Sequence, residues 1–290
     1  MKRFAFLLAL LTVAAVPVRA QFNGVTAELQ LTQDQYLPGE DLQLKVKIIN
    51  RSGQPVTFGL DNKWIRFDIV GENNFVVPKM GEMPVKGEFT LLSGQMASLA
   101  LNPAPYFDFR APGRYRMGAV ITIAQWKQQI ICKPTSFTVA NGIPIHGLAE
   151  LQFGVPPPAG VSNAVPEIRT YSLIKVAYLD QLKLYFRLED GTGRTLKVFP
   201  LSRMLSFSEP EAQMDRFNNL HVLMQTGARG FTYSIISPQG VLLARQTHEY
   251  TLSRPVLRGT QDGRIYVAGG QRVFLDSDLP PPSAVTARTP

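Results

Sequence analysis

From Ala27 to Val139 the chain alternates apolar and polar residues with a period of two, and that constrains its fold more than any other feature. In LQLKVKII, Leu42, Leu44, Val46 and Ile48 fall on one side of an extended chain, with Gln43, Lys45 and Lys47 on the other. A helix cannot keep such a set on one face, whereas an antiparallel strand with one face buried does so directly. WIRFDIV repeats the pattern with Ile65, Phe67 and Ile69 inward, which places Trp64 outward by parity. Eight or nine such segments fit into about 115 residues, a spacing that predicts a two-sheet sandwich. The 23 Gly and 22 Pro and the low charged fraction of 18% also suit short strands joined by many turns.

The first twenty residues are set apart from this pattern. MKR supplies positive charge, Phe4 to Val16 is an apolar run of thirteen, and PVRA ends in small residues. This is the arrangement of a signal peptide, with cleavage expected after Ala20, and it predicts a periplasmic or extracellular protein of a bacterium. The run is shorter than the ~20 apolar residues a membrane span requires, and no later segment approaches that length. Removing Lys2, Arg3 and Arg19 leaves 27 basic against 22 acidic residues, with the signs interspersed. Without a basic patch or stripe, nucleic acid is not an expected partner. The single cysteine, Cys132, permits no intrachain disulfide, and its strand setting in QQIICKP reads as a small buried hydrophobe.

Two turns sharpen the reading of the first half. In YLPGEDLQLKV, Pro38 and Gly39 supply the fixed φ and the positive φ of a type II turn ahead of a strand. In APGRYRMGAV a Pro-Gly turn delivers Tyr115 to the start of a long strand, where its hydroxyl can bond back to upstream backbone. With these turns, LTQDQYLPGEDLQLKVKIINRSGQPV and the later FDFRAPGRYRMGAVI resemble the immunoglobulin-like domains of bacterial secreted proteins. The Y-x-P-G-E turn is also similar to macroglobulin-type domains of protease-trapping proteins and to a small bacterial proteinase-inhibitor family. The resemblance implies a module that spaces, positions or binds.

In the second half LDQLKLYF, FNNLHVLM and QDGRIYVA share one phrase, a polar turn followed by an alternating strand, at spacings of 38 and 45 residues. These resemble blades of a β-propeller. About 110 residues lie between Glu167 and Phe274, too few for the four blades a closed propeller needs. The expectation is an incomplete set of blade-like repeats packed as a compact domain against the first. LEDGTGRT carries only Asp190 and Gly191 of the sialidase-type Asp-box, so no sialidase residue is carried over.

The predicted fold is therefore all-β: an immunoglobulin-like β-sandwich over 21–141, a Pro-rich linker over 142–166, a second compact antiparallel domain of blade-like hairpins over 167–276, and a disordered tail over 277–290. No catalytic residue, metal site or cofactor is implied. His146, His221 and His248 stand apart from metal spacing, and the parity of its strand puts His221 on a solvated face. Trp64 and Trp126 are candidates for stacking on sugar rings, and Arg187, Arg229, Arg245 and Arg264 for binding acidic groups of a glycan or protein. The leading functional expectation is a non-catalytic exported protein that binds a protein or glycan partner at the bacterial envelope. A carbohydrate-active enzyme or accessory module built on the C-terminal blades is the alternative, and a protease-inhibitor-like module the next.

Overall fold

The computed structural model describes residues 24–279 except residues 86, 149, 157–165 and 180. The cleavage site at Ala20, most of the proline-rich stretch and the end of the tail lie outside these residues. Within them the chain is all-β, its only helices being three 3-10 turns of three residues each. No helix among the described residues is long and apolar enough to cross a membrane.

The first unit pairs two sheets face to face. One has the order β1 (Val25–Leu31), β3 (Leu44–Asn50) and β7 (Met96–Leu101); the other has β2 (Gln35–Tyr36), β10 (Thr135–Val139), β8 (Gly113–Ile123) and β5 (Ile65–Val70), with β9 (Gln128–Ile131) also paired to β8. A short two-stranded antiparallel sheet of β4 (Val56–Phe58) and β6 (Phe89–Leu91) completes it. The alternating residues do what their spacing requires. Val46 and Ile48 from one sheet and Met117 and Ile121 from the other meet in one core. Lys45 and Lys47 stay on the opposite face of β3. The Tyr115 hydroxyl donates to the Ala111 carbonyl at 2.6 Å, and Gly39 holds φ +84 in the turn before β3.

The second unit has two five-stranded sheets. The first comprises β11 (Ile143–Pro144), β13 (Glu167–Tyr178), β14 (Gln181–Asp190) and β15 (Thr195–Met204), with β12 (Leu151–Val155) paired to β13. The second runs β16 (Glu211–Met214), β17 (Leu220–Gln225), β18 (Gly230–Ile236), β19 (Leu242–Glu249) and β22 (Gln271–Val273). Leu184, Phe186, Leu220 and Val222 fill the core between them. The outer face of the second sheet lies under the hairpin of β20 (Val256–Gly259) and β21 (Ile265–Ala268), which brings Leu257 against Leu223, Phe231 and Tyr233.

Two boundaries differ from expectation. The stretch expected as a linker over 142–166 contributes β11 and β12, both paired antiparallel to β13, whose long edge supplies the backbone partners that make these short segments strands. The tail expected to be disordered from 277 begins anchored: the Asp278 carboxylate accepts from the Thr247 hydroxyl at 2.9 Å and pairs with Arg272 at 2.6 Å.

Four tight turns of the second half, two of them those of FNNLHVLM and QDGRIYVA, share one chemistry. Asp190, Asp215, Ser237 and Thr260 each use a side-chain oxygen to accept the backbone N–H four residues on, at 2.9–3.2 Å. The N–H of each donates in turn to the carbonyl of that same later residue. The residue three on, Gly193, Asn218, Gly240 or Gly263, holds a positive φ. This is the three-residue hairpin, a type I turn closed by a left-handed residue. A short polar acceptor at the first position and Gly or Asn at the fourth are what it requires.

The units dock through the YLPGE turn. Leu37 inserts against Ile174, Val176, Tyr185 and Val198 on the outer face of the β13–β15 sheet. Gln35 Nε2 donates to the Ala177 carbonyl at 3.1 Å, and the Tyr178 hydroxyl donates to the Asp34 carboxylate. Beneath the turn, Glu40 is buried and accepts the Leu37 N–H at 2.8 Å and the Gln33 amide at 2.5 Å.

Candidate functional site

The first sheet of the second unit divides its outer face in two. Along β13 the residues on that face are Thr170, Ser172, Ile174 and Val176, since Tyr171 and Leu173 turn into the core. The apolar end is the part covered by Leu37. The other end is polar and open. Register places Gln152 and Glu189 on either side of Thr170, and Arg187 beside Ser172. With the Asp190 turn and Glu150 at its rim, this end forms a cleft of about 950 Å³.

Its charges are arranged in pairs. Arg187 lies 3.6 Å from Glu189, both side chains about three-quarters buried. The Arg187 Nε is buried and has no partner among the described residues. Arg169 forks onto Glu167 with two bonds of 2.9 Å and reaches the Pro238 carbonyl with a third. Those bonds hold the Glu167 carboxyl below its ordinary range. Asp190 is pushed down to about 2, first by the Thr192 hydroxyl and then, against a desolvation effect that raises it, by the Arg194 and Thr192 backbone N–H groups. Carboxylates held down in this way accept hydrogen bonds at neutral pH and do not deliver protons. Glycosidic hydrolysis by a carboxylate pair needs one member raised so that it remains a protonated acid. The carboxyl that burial does raise, Glu40, lies at the junction of the units.

Of the six candidate binding residues, the structure brings only Arg187 to this cleft. Trp64 must be corrected: it is 3% exposed and packs against Phe58 and Phe89, with ring centroids 5.8 and 5.9 Å away. Strand parity placed it outward, but it sits one residue before β5, where the paired strands β4 and β6 cover it with Phe58 and Phe89. Trp126 lies in a 3-10 turn, partly buried against the same core, so the two rings form no exposed sugar platform. Arg229 turns both Nε and Nη2 onto the Tyr250 carbonyl. Arg264 pairs with Asp262 at 2.9 Å on the β20–β21 hairpin, and Arg245 lies in β19. These three arginines are spread over separate elements and share no cavity with Arg187.

His221 is a second correction. It is buried, because the β20–β21 hairpin covers the face that parity left to solvent. Its Nδ1 lies 2.5 Å from the Tyr233 hydroxyl and its Nε2 3.2 Å from Asp215. Burial depresses the imidazole pKa, and Asp215 opposes that. Asp215 also closes the β16–β17 turn through the Phe217 and Asn219 N–H groups, so this chain of three side chains ties a turn to a sheet. The spacing of Asp215 to His221 was the available signal, visible only once the turn type is known. Cys132 is buried, and burial pushes its thiol up to about 11. It therefore remains protonated at neutral pH and is a poor nucleophile.

No family model and no curated protein matches the chain. Among solved structures it is similar to the sporulation control protein Spo0M from Bacillus subtilis, at 11% identity and a TM-score of 0.31, over 62% of this chain and 90% of that one. A likeness of that size carries neither fold nor function across.

Proposed function

We propose that the protein is an exported, non-catalytic binding protein of the bacterial envelope, with an immunoglobulin-like first domain and a second domain that takes a glycan in the polar cleft. Export rests on the basic start, the apolar run from Phe4 to Val16 and the small residues up to Ala20. The immunoglobulin-like reading rests on the sandwich of alternating strands and the bond from Tyr115 to Ala111.

The observation that carries the binding reading is the lining of the cleft. Gln152, Thr170, Arg187 and Glu189 offer amide, hydroxyl, guanidinium and carboxylate groups, and no aromatic ring lines the cleft among the described residues. A protein partner is held mainly by aromatic and apolar anchors in desolvated pockets. Hydroxyl-rich ligands instead use dense, orientable hydrogen bonds of this kind. The lowered carboxyls of Glu167 and Asp190 favour holding a ligand over cleaving it.

The mature chain, residues 21–290, tested on an array of bacterial envelope glycans tests the proposal. Arg187→Ala is expected to weaken binding by about 10–100-fold, the effect of losing a charge-assisted hydrogen bond. Arg264→Ala, on a distant hairpin, is expected to leave binding unchanged. Absence of binding to every glycan, or equal binding by wild type and Arg187→Ala, contradicts the proposal.

A further inference from the structure

The first unit has a concavity of its own, of different chemistry. Its second sheet ends at β5, whose outer edge is met near its end by the Val70–Val76 bridge and by the Val77 N–H donating to the Ile69 carbonyl at 3.0 Å, and along Ile65–Phe67 by no strand among the described residues. The chain covers that edge with an irregular segment that includes Met83 and Val85, both buried. Between strand and segment a pocket of about 290 Å³ enters the sandwich. Its walls are apolar: Ile65 and Phe67 from β5, Met83 and Val85 from the covering segment, and Phe107.

The mouth carries charge of one predominant sign. Lys63, Arg66 and Lys79 line it against a single carboxylate, Glu82. Lys79 pairs with Glu82 at 2.8 Å, and Arg66 with Asp68 at 3.5 Å. Lys63 makes no ion pair among the described residues. Solvent-exposed pairs of this kind contribute little and exchange partners readily. An anionic group at the mouth therefore meets Lys63, which feels Glu82 only at longer range than an ion pair, and two paired cations that can turn to it.

We infer that this pocket binds a small amphipathic carboxylate, its apolar body in the sandwich and its charge among Lys63, Arg66 and Lys79. Size follows from volume. A cavity of about 150 Å³ lined by apolar side chains admits benzene. One about twice as large takes a medium-chain or aromatic acid of about ten heavy atoms. Largely apolar walls with a few placed polar groups are the ordinary composition of a small-molecule site. The pocket is separate from the polar cleft in both unit and chemistry, so this inference stands without the glycan proposal.

Titration calorimetry and methyl NMR of the mature chain with octanoate, octanol and octylamine test it. Octanoate is expected to bind and to shift the Met83 and Val85 methyl signals, with octanol at least about tenfold weaker and octylamine weaker still, since a tenfold change corresponds to about 1.4 kcal/mol. Lys63 is exposed, so Lys63→Glu is expected to keep the wild-type circular dichroism and melting temperature while weakening octanoate about tenfold and improving octylamine. Arg187→Ala is expected to leave octanoate binding unchanged. Equal affinity for octanoate and octylamine, no octanoate binding up to about 10 mM, or binding that leaves the Met83 and Val85 methyls unmoved overturns the inference.

Discussion

β3 of the first unit and β14 of the second are both strands in sandwiches, yet they are buried in different ways. In β3, Leu44, Val46 and Ile48 are buried and the lysines between them are not. In β14, Leu184, Tyr185 and Phe186 are buried in succession, because the shared core takes one face and the docked first unit takes the other. β17 repeats this from Leu220 to Met224, with the β20–β21 hairpin as its cover. The first unit is therefore a sandwich with two wet faces. The second is an inner pair of sheets whose outer faces are partly occupied, and the polar cleft is the part of one outer face left open.

Consecutive alanine substitutions probe this difference with the largest expected effect. Tyr185→Ala and Phe186→Ala are each expected to destabilise by about 3–5 kcal/mol in urea unfolding. In β3, Val46→Ala is expected to lose about 2–4 kcal/mol, while Lys47→Ala remains within about 0.5 kcal/mol. If Tyr185→Ala proves as mild as Lys47→Ala, the outer face of β14 is not covered and the docking of the units is wrong.

Acid and base are expected to act on the two covered faces in opposite directions. Burial raises the Glu40 carboxyl from 4.5 to about 7, against the opposing effects of the Leu37 N–H, the Gln33 amide and Lys183, with Asp41 adding to the rise. The folded junction keeps its proton where the unfolded chain has lost it. Its contribution is therefore full below 4.5 and lost as pH rises through about 7, a change of at most roughly 3 kcal/mol. Glu40→Gln should flatten that limb. His221 and His248 are depressed below 6.5 by burial; Arg272 also lowers His248, while Asp215 and Asp278 oppose the shifts of His221 and His248 respectively. Their contribution is full above 6.5 and declines as pH falls below it. Hydrogen exchange across pH should show amides around Leu37 opening first at high pH and those around His221 opening first at low pH. The reverse order contradicts both assignments.

Smaller effects belong to the turns. Asp215→Ala removes an acceptor from the Phe217 and Asn219 N–H groups and from His221, and is expected to destabilise by about 1–3 kcal/mol by thermal melting. Gly193→Ala places a side chain in a left-handed but open position and should lose about 1 kcal/mol. Gly240→Ala has the same φ problem, and its new Cβ would lie 3.0 Å from Lys197, so its loss should be the larger of the two. Equal losses would mean that the Ser237 turn is less closely packed on β15 than the structure has it.

This contrast also explains what could be read from the sequence. One-sided burial writes a period of two, so the sandwich, the turn before β3 and the Tyr115 hydrogen bond follow from the residues themselves. Two-sided burial erases the period. LHVLM carries no mark that His221 faces a second layer, and nothing beside Trp64 announces the pair of strands that covers it. β11 and β12 were hidden for another reason: two residues and five residues among prolines and glycines are too short to show a pattern, and only pairing with β13 makes them strands. The cleft was partly legible in Arg187, but the register that sets it beside Ser172 and near Gln152 and Thr170 is a property of three paired strands.

The central claim is that the open end of this sheet holds a glycan and leaves it intact. Mass spectrometry of a glycan recovered from its complex with the mature protein, compared with the same glycan kept without protein, tests both halves. Recovery of the bound chain at unchanged mass, with capture lost in Arg187→Ala, is the predicted result. Cleaved or modified glycan, or capture that ignores Arg187, would contradict it.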